Sequence, residues 1–335
     1  MISMAKTLMA VDAGTGSVRA VLFSLEGEQL GCVQQEWTHK EDPRYPGSMD
    51  FDWVHNWDLA RGCIRGVIEQ TGVDPHDIAA VSTTCMREGI VLYDKDGQEI
   101  WACANVDARS DDEVAQLVHM NPELEKQIYR ESGQTYALGA LPRLFWVKNK
   151  MPEVYEKTAV CTMFNDWLIY KMTGVFSSEP SNACTTGIFD LKARDWDDKI
   201  AASIGLKTGI FPKISECGTV VAKVGAKGAA ETGLAEGTPV VAGGGDAQLG
   251  CVGVGVVDAN QAAILGGSFW QYEYNTDEAK TDEHCRVRVN CHSVPGIWQY
   301  EALAFKPGMV MRWYRDAFCQ YEKELSKTTG RDPYD

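Results

Sequence analysis

The chain has 335 residues, enough for two domains with cores of their own; 44% are hydrophobic and 24% charged, an ordinary globular balance. A net charge of -15 argues against nucleic acid and anionic membrane as partners. The 11 cysteines are irregularly spaced with no Cys-x-x-Cys, so free thiols in a reducing cytoplasm are expected rather than a disulfide framework or a zinc ribbon. The opening apolar run is too short for a signal peptide, and no stretch approaches the ~18 apolar residues of a membrane span.

Thr7 to Val11 reads as a short strand entering Asp12-Ala-Gly-Thr-Gly-Ser-Val-Arg19, and Ala20 to Phe23 as a second strand. A turn at Leu25 to Glu28 leads to a third strand running to Trp37. Strand, turn, strand, turn, strand is a meander. The Gly14-x-Gly16-x-x-Arg19 spacing superficially matches a dinucleotide fingerprint, but that motif opens a helix, and here Arg19 leads into a strand. A hairpin remains, whose amides and hydroxyls (Thr15, Ser17) suit phosphate. Asp12 at its base suits a metal-bound water, or simply caps the turn.

Apolar residues at helical spacing (Trp57, Ala60, Ile64, Val67, Ile68) predict a helix over 54–71, closed by Gly72. A buried strand from Ile78 then delivers Arg87 and Glu88 to its end, one donor fork and one acceptor side by side. Strand ends in open α/β sheets are where ligands bind, although a surface ion pair would look the same. Ile90 to Tyr93 is a further strand. Ile100 to Arg109 reads as strand-like and is expected to bring Asn105, Asp107 and Arg109 to one pocket wall. Residues 111–130, 141–150 and 153–173 read as helices. Ser181 and Asn182 begin a small polar loop expected to line the cleft, Asp195-Trp196 opens a helix, and 217–238 connects this domain to the central stretch of the chain.

That central stretch is Pro239 to Gly250. Val240 to Ala242 form a buried strand, three glycines end it, and Asp246 stands where a helix begins. The glycines allow close approach of a ligand, and a carboxylate there suits a general base for a hydroxyl proton. An Asp N-cap on a Gly-rich turn is the bland alternative. Residues 261–272 repeat the strand, Gly/Ser turn, strand pattern of residues 7–23. His284 and His292 tempt a zinc reading, but along a strand they would lie about 26 Å apart. Residues 309–326 read as an amphipathic helix.

Asp12-Ala-Gly-Thr-Gly-Ser-Val-Arg19, Met86-Arg-Glu-Gly89, Gly243-Gly-Gly-Asp-Ala-Gln248 and Leu265-Gly-Gly-Ser268, in that order, resemble the FGGY carbohydrate kinases. The resemblance implies an α/β ribonuclease H-like, actin-like ATPase fold: a complete first domain over 1–250 and the start of a second of the same type over 251–335. It implies ATP and Mg²⁺ as cofactors and Asp246 as the base. Gly14, Thr15, Gly16, Ser17, Arg19, Gly266, Gly267 and Ser268 would hold ATP phosphates. Asp12 and Asp246 would organise Mg²⁺ through water. Arg87, Glu88, Asn105, Asp107, Gln248 and Trp270 would form the sugar pocket.

Met86-Arg-Glu-Gly-Ile-Val-Leu-Tyr93, Ile100 to Arg109 and Met311 to Cys319 are similar to the branch of that family acting on open-chain 4,5-dihydroxy-2,3-pentanedione, a quorum-sensing signal. That implies phosphorylation of its primary hydroxyl in the cytoplasm, with HPr as a possible protein partner. Asn105 and Ala247 stand where glycerol-phosphorylating relatives carry Trp and Gln, and Gly16 where a Thr is frequent, which argues against glycerol. Xylulose or another ketose or polyol is the near alternative. A Gly-rich adenosine-binding segment of the family has no match in 276–335. The expectation is therefore a shortened chain that binds ATP weakly, or a sugar-binding module without turnover.

Overall fold

The computed structural model describes residues 6–137, 139–266, 270–304 and 307–334. Strands β1 (Thr7–Ala13), β2 (Ser17–Ser24) and β3 (Gln29–Glu36) form the expected antiparallel meander. Helix α1 (Trp53–Thr71) packs Trp57, Ala60, Cys63, Ile64 and Val67 onto it. The Asp52 side chain caps the start of α1 by accepting from the His55 amide, and Gly72 closes the end at φ 65°. After α1, β4 (Ile78–Cys85) returns parallel to β1. Much later, β10 (Val220–Lys223) and β11 (Pro239–Gly245) complete a six-stranded sheet in the order β10-β11-β4-β1-β2-β3. Its three central strands are parallel neighbours, so the ends of β1, β4 and β11 open on one side.

Between β4 and β10 lies an inserted layer with its own core. Strands β5 (Ile90–Tyr93), β6 (Glu99–Cys103) and β7 (Val160–Met163) form a three-stranded sheet in the order β6-β5-β7. Helices α2 (Asp111–Met120), α3 (Leu124–Ser132), α4 (Ala140–Lys150) and α5 (Pro152–Lys157) build around it. Helix α6 (Phe164–Thr173) lends Trp167, Leu168 and Ile169 to the main core. Short elements follow: α7 (Pro180–Ala183), β8 (Phe189–Asp190), β9 (Asp195–Trp196), α8 (Asp198–Ser203) and α9 (Ala226–Thr232). Helix α10 (Asp246–Gly253) follows β11 directly. A four-stranded antiparallel sheet comes next: β12 (Ala262–Gly266), β13 (Trp270–Thr276), β14 (Arg288–Cys291) and β15 (Trp298–Ala304), in the order β12-β13-β15-β14. Helices α11 (Pro307–Phe318) and α12 (Gln320–Thr329) end the described chain. No helix among the described residues is long and apolar enough to cross a membrane.

Several sequence expectations need correction. The helix expected over 111–130 is two helices, parted at Asn121-Pro122, where proline cannot continue a helix. The helix expected over 153–173 conceals strand β7, because a run as short as Val160-Cys-Thr-Met163 is ambiguous until a partner strand accepts it. Asp195-Trp196 pairs with β8 instead of opening a helix; Asp197 caps α8. The connector 217–238 contains β10 and α9, and the helix over 309–326 breaks at Cys319. The strand-like reading of 100–109 holds only as far as Cys103, and the strand through 284–292 is only Arg288 to Cys291.

Candidate active site

The first wall is the β1–β2 hairpin. Asp12 and Arg19 are cross-strand partners, and the guanidinium meets the carboxylate through Nε and Nη2, each at 2.9 Å. The carbonyls of Gly14 and Thr15 both accept from the Trp37 indole, at 3.0 and 3.2 Å. The Thr15 carbonyl also meets His39 Nε2 at 2.7 Å, and the Gly16 carbonyl accepts from the Trp37 amide. With its carbonyls engaged, the hairpin offers amides and hydroxyls, the chemistry of a phosphate cradle. Trp37 and His39 escaped the sequence reading because nothing in their spacing ties them to a turn some 20 residues earlier.

The second wall leaves the end of β4. Glu88 has a left-handed backbone at φ 66°, uncommon without glycine. Two arginines fix it there. Arg143, fully buried in α4, donates to the Glu88 carbonyl and to the carbonyls of Asn105 (2.7 Å) and Asp107 (3.0 Å). Arg288 reaches the Glu88 carboxylate at 2.8 Å. Neither was singled out from sequence; a single cation inside the apolar run Leu141-Pro-Arg-Leu-Phe145 was the available signal.

The floor is the end of β11. A Cβ on Gly243 would stand 1.5 Å from the Thr83 carbonyl, and one on Gly245 would stand 2.7 Å from Gln248 Oε1 and 2.9 Å from Arg87 Cδ. Glycine is required here for close packing. Thr84 donates its hydroxyl to the Gly244 carbonyl at 2.9 Å, and Ser181 accepts from the Gly245 amide at 3.0 Å. Gly245 is the N-cap of α10, so Asp246 is its first residue, and its Oδ1 accepts from the Ala247 amide. The Asp246 side chain is 46% exposed and lies 3.5 Å from Arg87 Nε. Lost hydration raises its pKa to about 6; Arg87 and the Ala247 amide pull against that, while Glu88 and Asp12 add to it. Burial likewise raises the Asp12 carboxyl, against the pull of Arg19.

Around this floor stand the other expected residues. Asn105 donates from Nδ2 to the Thr15 hydroxyl at 3.0 Å, and its Oδ1 is buried without a partner. Gln248 is fully buried with both amide atoms unpartnered. Trp270 is 39% exposed and folds back toward Gly266. Gly267 and Ser268 lie outside the described residues. Asp107 departs from expectation: its carboxylate is enclosed, accepting from Arg109 Nε at 2.8 Å and the Met49 amide at 2.6 Å. Arg109 is also withdrawn, held between the Trp101 and Trp146 rings and paired with Asp50. Ser181 and Asn182 are buried supports rather than cleft lining. Among the described residues, no three His, Cys, Asp or Glu side chains form a metal-holding group.

Known proteins resemble this arrangement. Residues 7–253 match the N-terminal domain of the FGGY family of carbohydrate kinases. The chain is 48% identical over 328 residues to an autoinducer-2 kinase of Enterobacter sp. (strain 638) and 49% identical to one of Escherichia coli (strain SMS-3-5 / SECEC). Each alignment covers 98% of this chain and 62% of the relative, so the chain spans under two thirds of those relatives' length. A xylulose kinase from Rhodospirillum rubrum superposes with a TM-score of 0.85 at 22% identity, covering 98% of this chain and 65% of that one. A Plasmodium falciparum glycerol kinase with ADP superposes at 0.83 and 17% identity, covering 96% and 67%. These structures share the actin-like ATPase fold, and the sequence match settles the affiliation: the chain belongs to the FGGY family of carbohydrate kinases.

Proposed function

We propose that this chain supplies the sugar-binding and phosphate-gripping part of an ATP-dependent kinase acting on the primary hydroxyl of open-chain 4,5-dihydroxy-2,3-pentanedione. The observation that carries the reading is the placement of Asp246, whose carboxylate stands at the end of β11, open to the cleft and 3.5 Å from Arg87 Nε, where partial loss of hydration raises its pKa to about 6. Such a group is mostly ionised at neutral pH yet basic enough to take a hydroxyl proton as the oxygen attacks the terminal phosphorus. Arg87, Glu88, Asn105, Gln248 and Trp270 surround the sugar, and residues 14–17 hold phosphate. The bond to phosphorus forms as ADP leaves, and catalysis rests on positioning and charge neutralisation. The names of the relatives at 48–49% identity favour this sugar over xylulose.

Two carboxylates near one another, Asp12 and Asp246, fit the few-carboxylate, water-rich shell that Mg²⁺ prefers. Bound there, the ion would neutralise phosphate charge; Asp12 would exchange part of its pairing with Arg19 for a metal-bound water. A cytoplasmic setting and HPr as a protein partner belong to the same reading.

Calorimetric titration of the chain with 4,5-dihydroxy-2,3-pentanedione, xylulose and glycerol, and separately with Mg-ATP, tests the proposal. Heat from the first sugar alone is the expected result. Xylulose or glycerol binding in its place would transfer the site to another ketose or polyol, and silence toward all three would overturn it.

A further inference from the structure

The sugar-pocket arginine and glutamate are held by residues about 200 positions later. Arg288 on β14, Glu301 on β15 and Glu273 on β13 are direct cross-strand partners, a charged row across three strands. All three side chains are buried or nearly so, and the row meets the loop after β4. Arg87 Nη1 lies 2.5 Å from Glu301 Oε2, and Arg288 Nη1 bridges Glu301 Oε1 at 3.2 Å and Glu88 Oε1 at 2.8 Å. Gln134 fixes Arg288 in turn, accepting from its Nε at 2.8 Å.

Stability does not explain this row. Like charges directly opposite each other on a sheet are unfavourable, and buried ion pairs seldom outperform apolar packing. Glu273 and Glu301 avoid the clash by dividing roles. Burial and the neighbouring Glu301 charge push the Glu273 carboxyl far above the usual range, which favours its protonated form. Burial also works against the Glu301 charge, but Arg87 and Arg288 outweigh it and keep Glu301 ionised. The ionised Glu301 occupies one corner of the Arg87 guanidinium, leaving Nε turned to Asp246.

We infer that Glu301 and Arg288 are positioning residues of the sugar site: they aim Arg87 and Glu88, so the geometry of the pocket depends on the four-stranded sheet. The inference rests on the reading of Arg87 and Glu88 as sugar-binding residues. It adds that Glu301 and Arg288, on two strands of that sheet, contribute to sugar recognition without touching the sugar. Closure or loosening of that sheet against the loop after β4 would therefore be felt as a change in sugar affinity.

The test compares Glu273→Gln with the double variant Glu273→Gln/Glu301→Gln. The double form is needed because Glu273, relieved of its neighbour, would ionise and replace the lost charge. Two quantities are read on the whole chain at one pH: the dissociation constant for 4,5-dihydroxy-2,3-pentanedione, and the chemical shift of the Arg87 Nε–H group by ¹⁵N NMR without sugar. Glu273→Gln should bind within about twofold of the parent chain, because it leaves the contact between Arg87 and Glu301 in place. The double variant should bind about tenfold more weakly, the scale of one charged hydrogen bond. Its Arg87 Nε–H signal should shift, since the guanidinium loses its Glu301 partner and turns toward Asp246. A role in stability alone would leave that signal where it is, and an unmoved signal overturns the inference. If the parent chain binds no sugar, the functional reading falls, while the sugar-free signal still decides whether Glu301 sets Arg87.

Discussion

Asn105 and Thr15 stand 90 residues apart in sequence, and the Asn105 side-chain amide donates to the Thr15 hydroxyl at 3.0 Å. The bond ties the loop after β6 to the β1–β2 hairpin. It also divides the amide: Nδ2 is spent on the hairpin, and the buried Oδ1 is left for a ligand or water. A tryptophan at this position could not make this division, because an indole donates and does not accept.

A double-mutant cycle between Asn105→Ala and Thr15→Val should therefore show a coupling of about 1 kcal/mol in urea unfolding, the net worth of one such bond. Additive losses within about 0.3 kcal/mol would mean that the two walls are independent in solution.

The glycines of the two signature turns should differ in tolerance. Gly243→Ala drives a Cβ to 1.5 Å from the Thr83 carbonyl, a clash between main chains of neighbouring strands that no rotamer can relieve. It should cost about 3 kcal/mol or more, lowering the melting temperature by several degrees. Gly16→Ala meets nothing within 4 Å and should leave the melting temperature within about a degree, whatever it does to phosphate binding. Equal losses would show that the β11 turn relaxes far more than its packing allows.

The meander, the helix after it and the turn at Asp246 were legible because each is local: periodicity and turn residues specify them within a dozen positions. Strand β7 was not, since Val160 to Met163 becomes a strand only when β5 pairs with it. The site divided in the same way. Asp246, Arg87 and Asn105 sit in short motifs, whereas Arg143, Arg288 and Glu301 act through partners 36 to 214 positions away, and no pattern marks such distances. Asp107 was misplaced for the opposite reason. Its neighbour Arg109, two positions on, took the carboxylate inward, a local pairing that a strand-like reading would have put on one shared face.

His292 should make the fold sensitive to mild acid. Its ring is fully buried, with Nδ1 accepting from the Val294 amide at 2.8 Å and Nε2 facing the Val256 carbonyl at 3.1 Å. Burial lowers its pKa to about 4, from the 6.5 of a free imidazole. Because the folded value lies below the unfolded one, the unfolded chain binds the extra proton. The stability His292 contributes is complete above pH 6.5 and is lost as pH falls toward 4. Raised carboxyls such as Asp246 and Glu179 act with the opposite sign, so the quantity to measure is the difference between the parent chain and His292→Gln in urea midpoint across pH 7.5 to 4.5. The variant should be the less stable at the upper end, with the gap narrowing steadily on acidification; a constant gap would remove the titration from the explanation.

Asp246→Asn carries the opposite sign, and it also tests the proposed role of this carboxylate as the base. The folded pKa of Asp246, about 6, lies above the ordinary 3.8, so the fold prefers the group protonated and bears a penalty for holding it ionised at neutral pH. The neutral amide removes that penalty, while Arg87 retains Glu301 as its main partner at 2.5 Å. Asp246→Asn should thus melt higher than the parent chain at pH 8, with the advantage fading below pH 6 as the parent carboxyl takes up its own proton. If the chain turns over, the same substitution should cut phosphoryl transfer about 10²- to 10⁴-fold while leaving sugar affinity nearly intact, the signature of a lost proton acceptor. The parent rate should rise with pH through about 6, because only the ionised carboxylate can accept the hydroxyl proton. A variant that is less stable at pH 8, or a rate indifferent to pH between 5 and 7, would contradict a strained, cleft-facing base at this position.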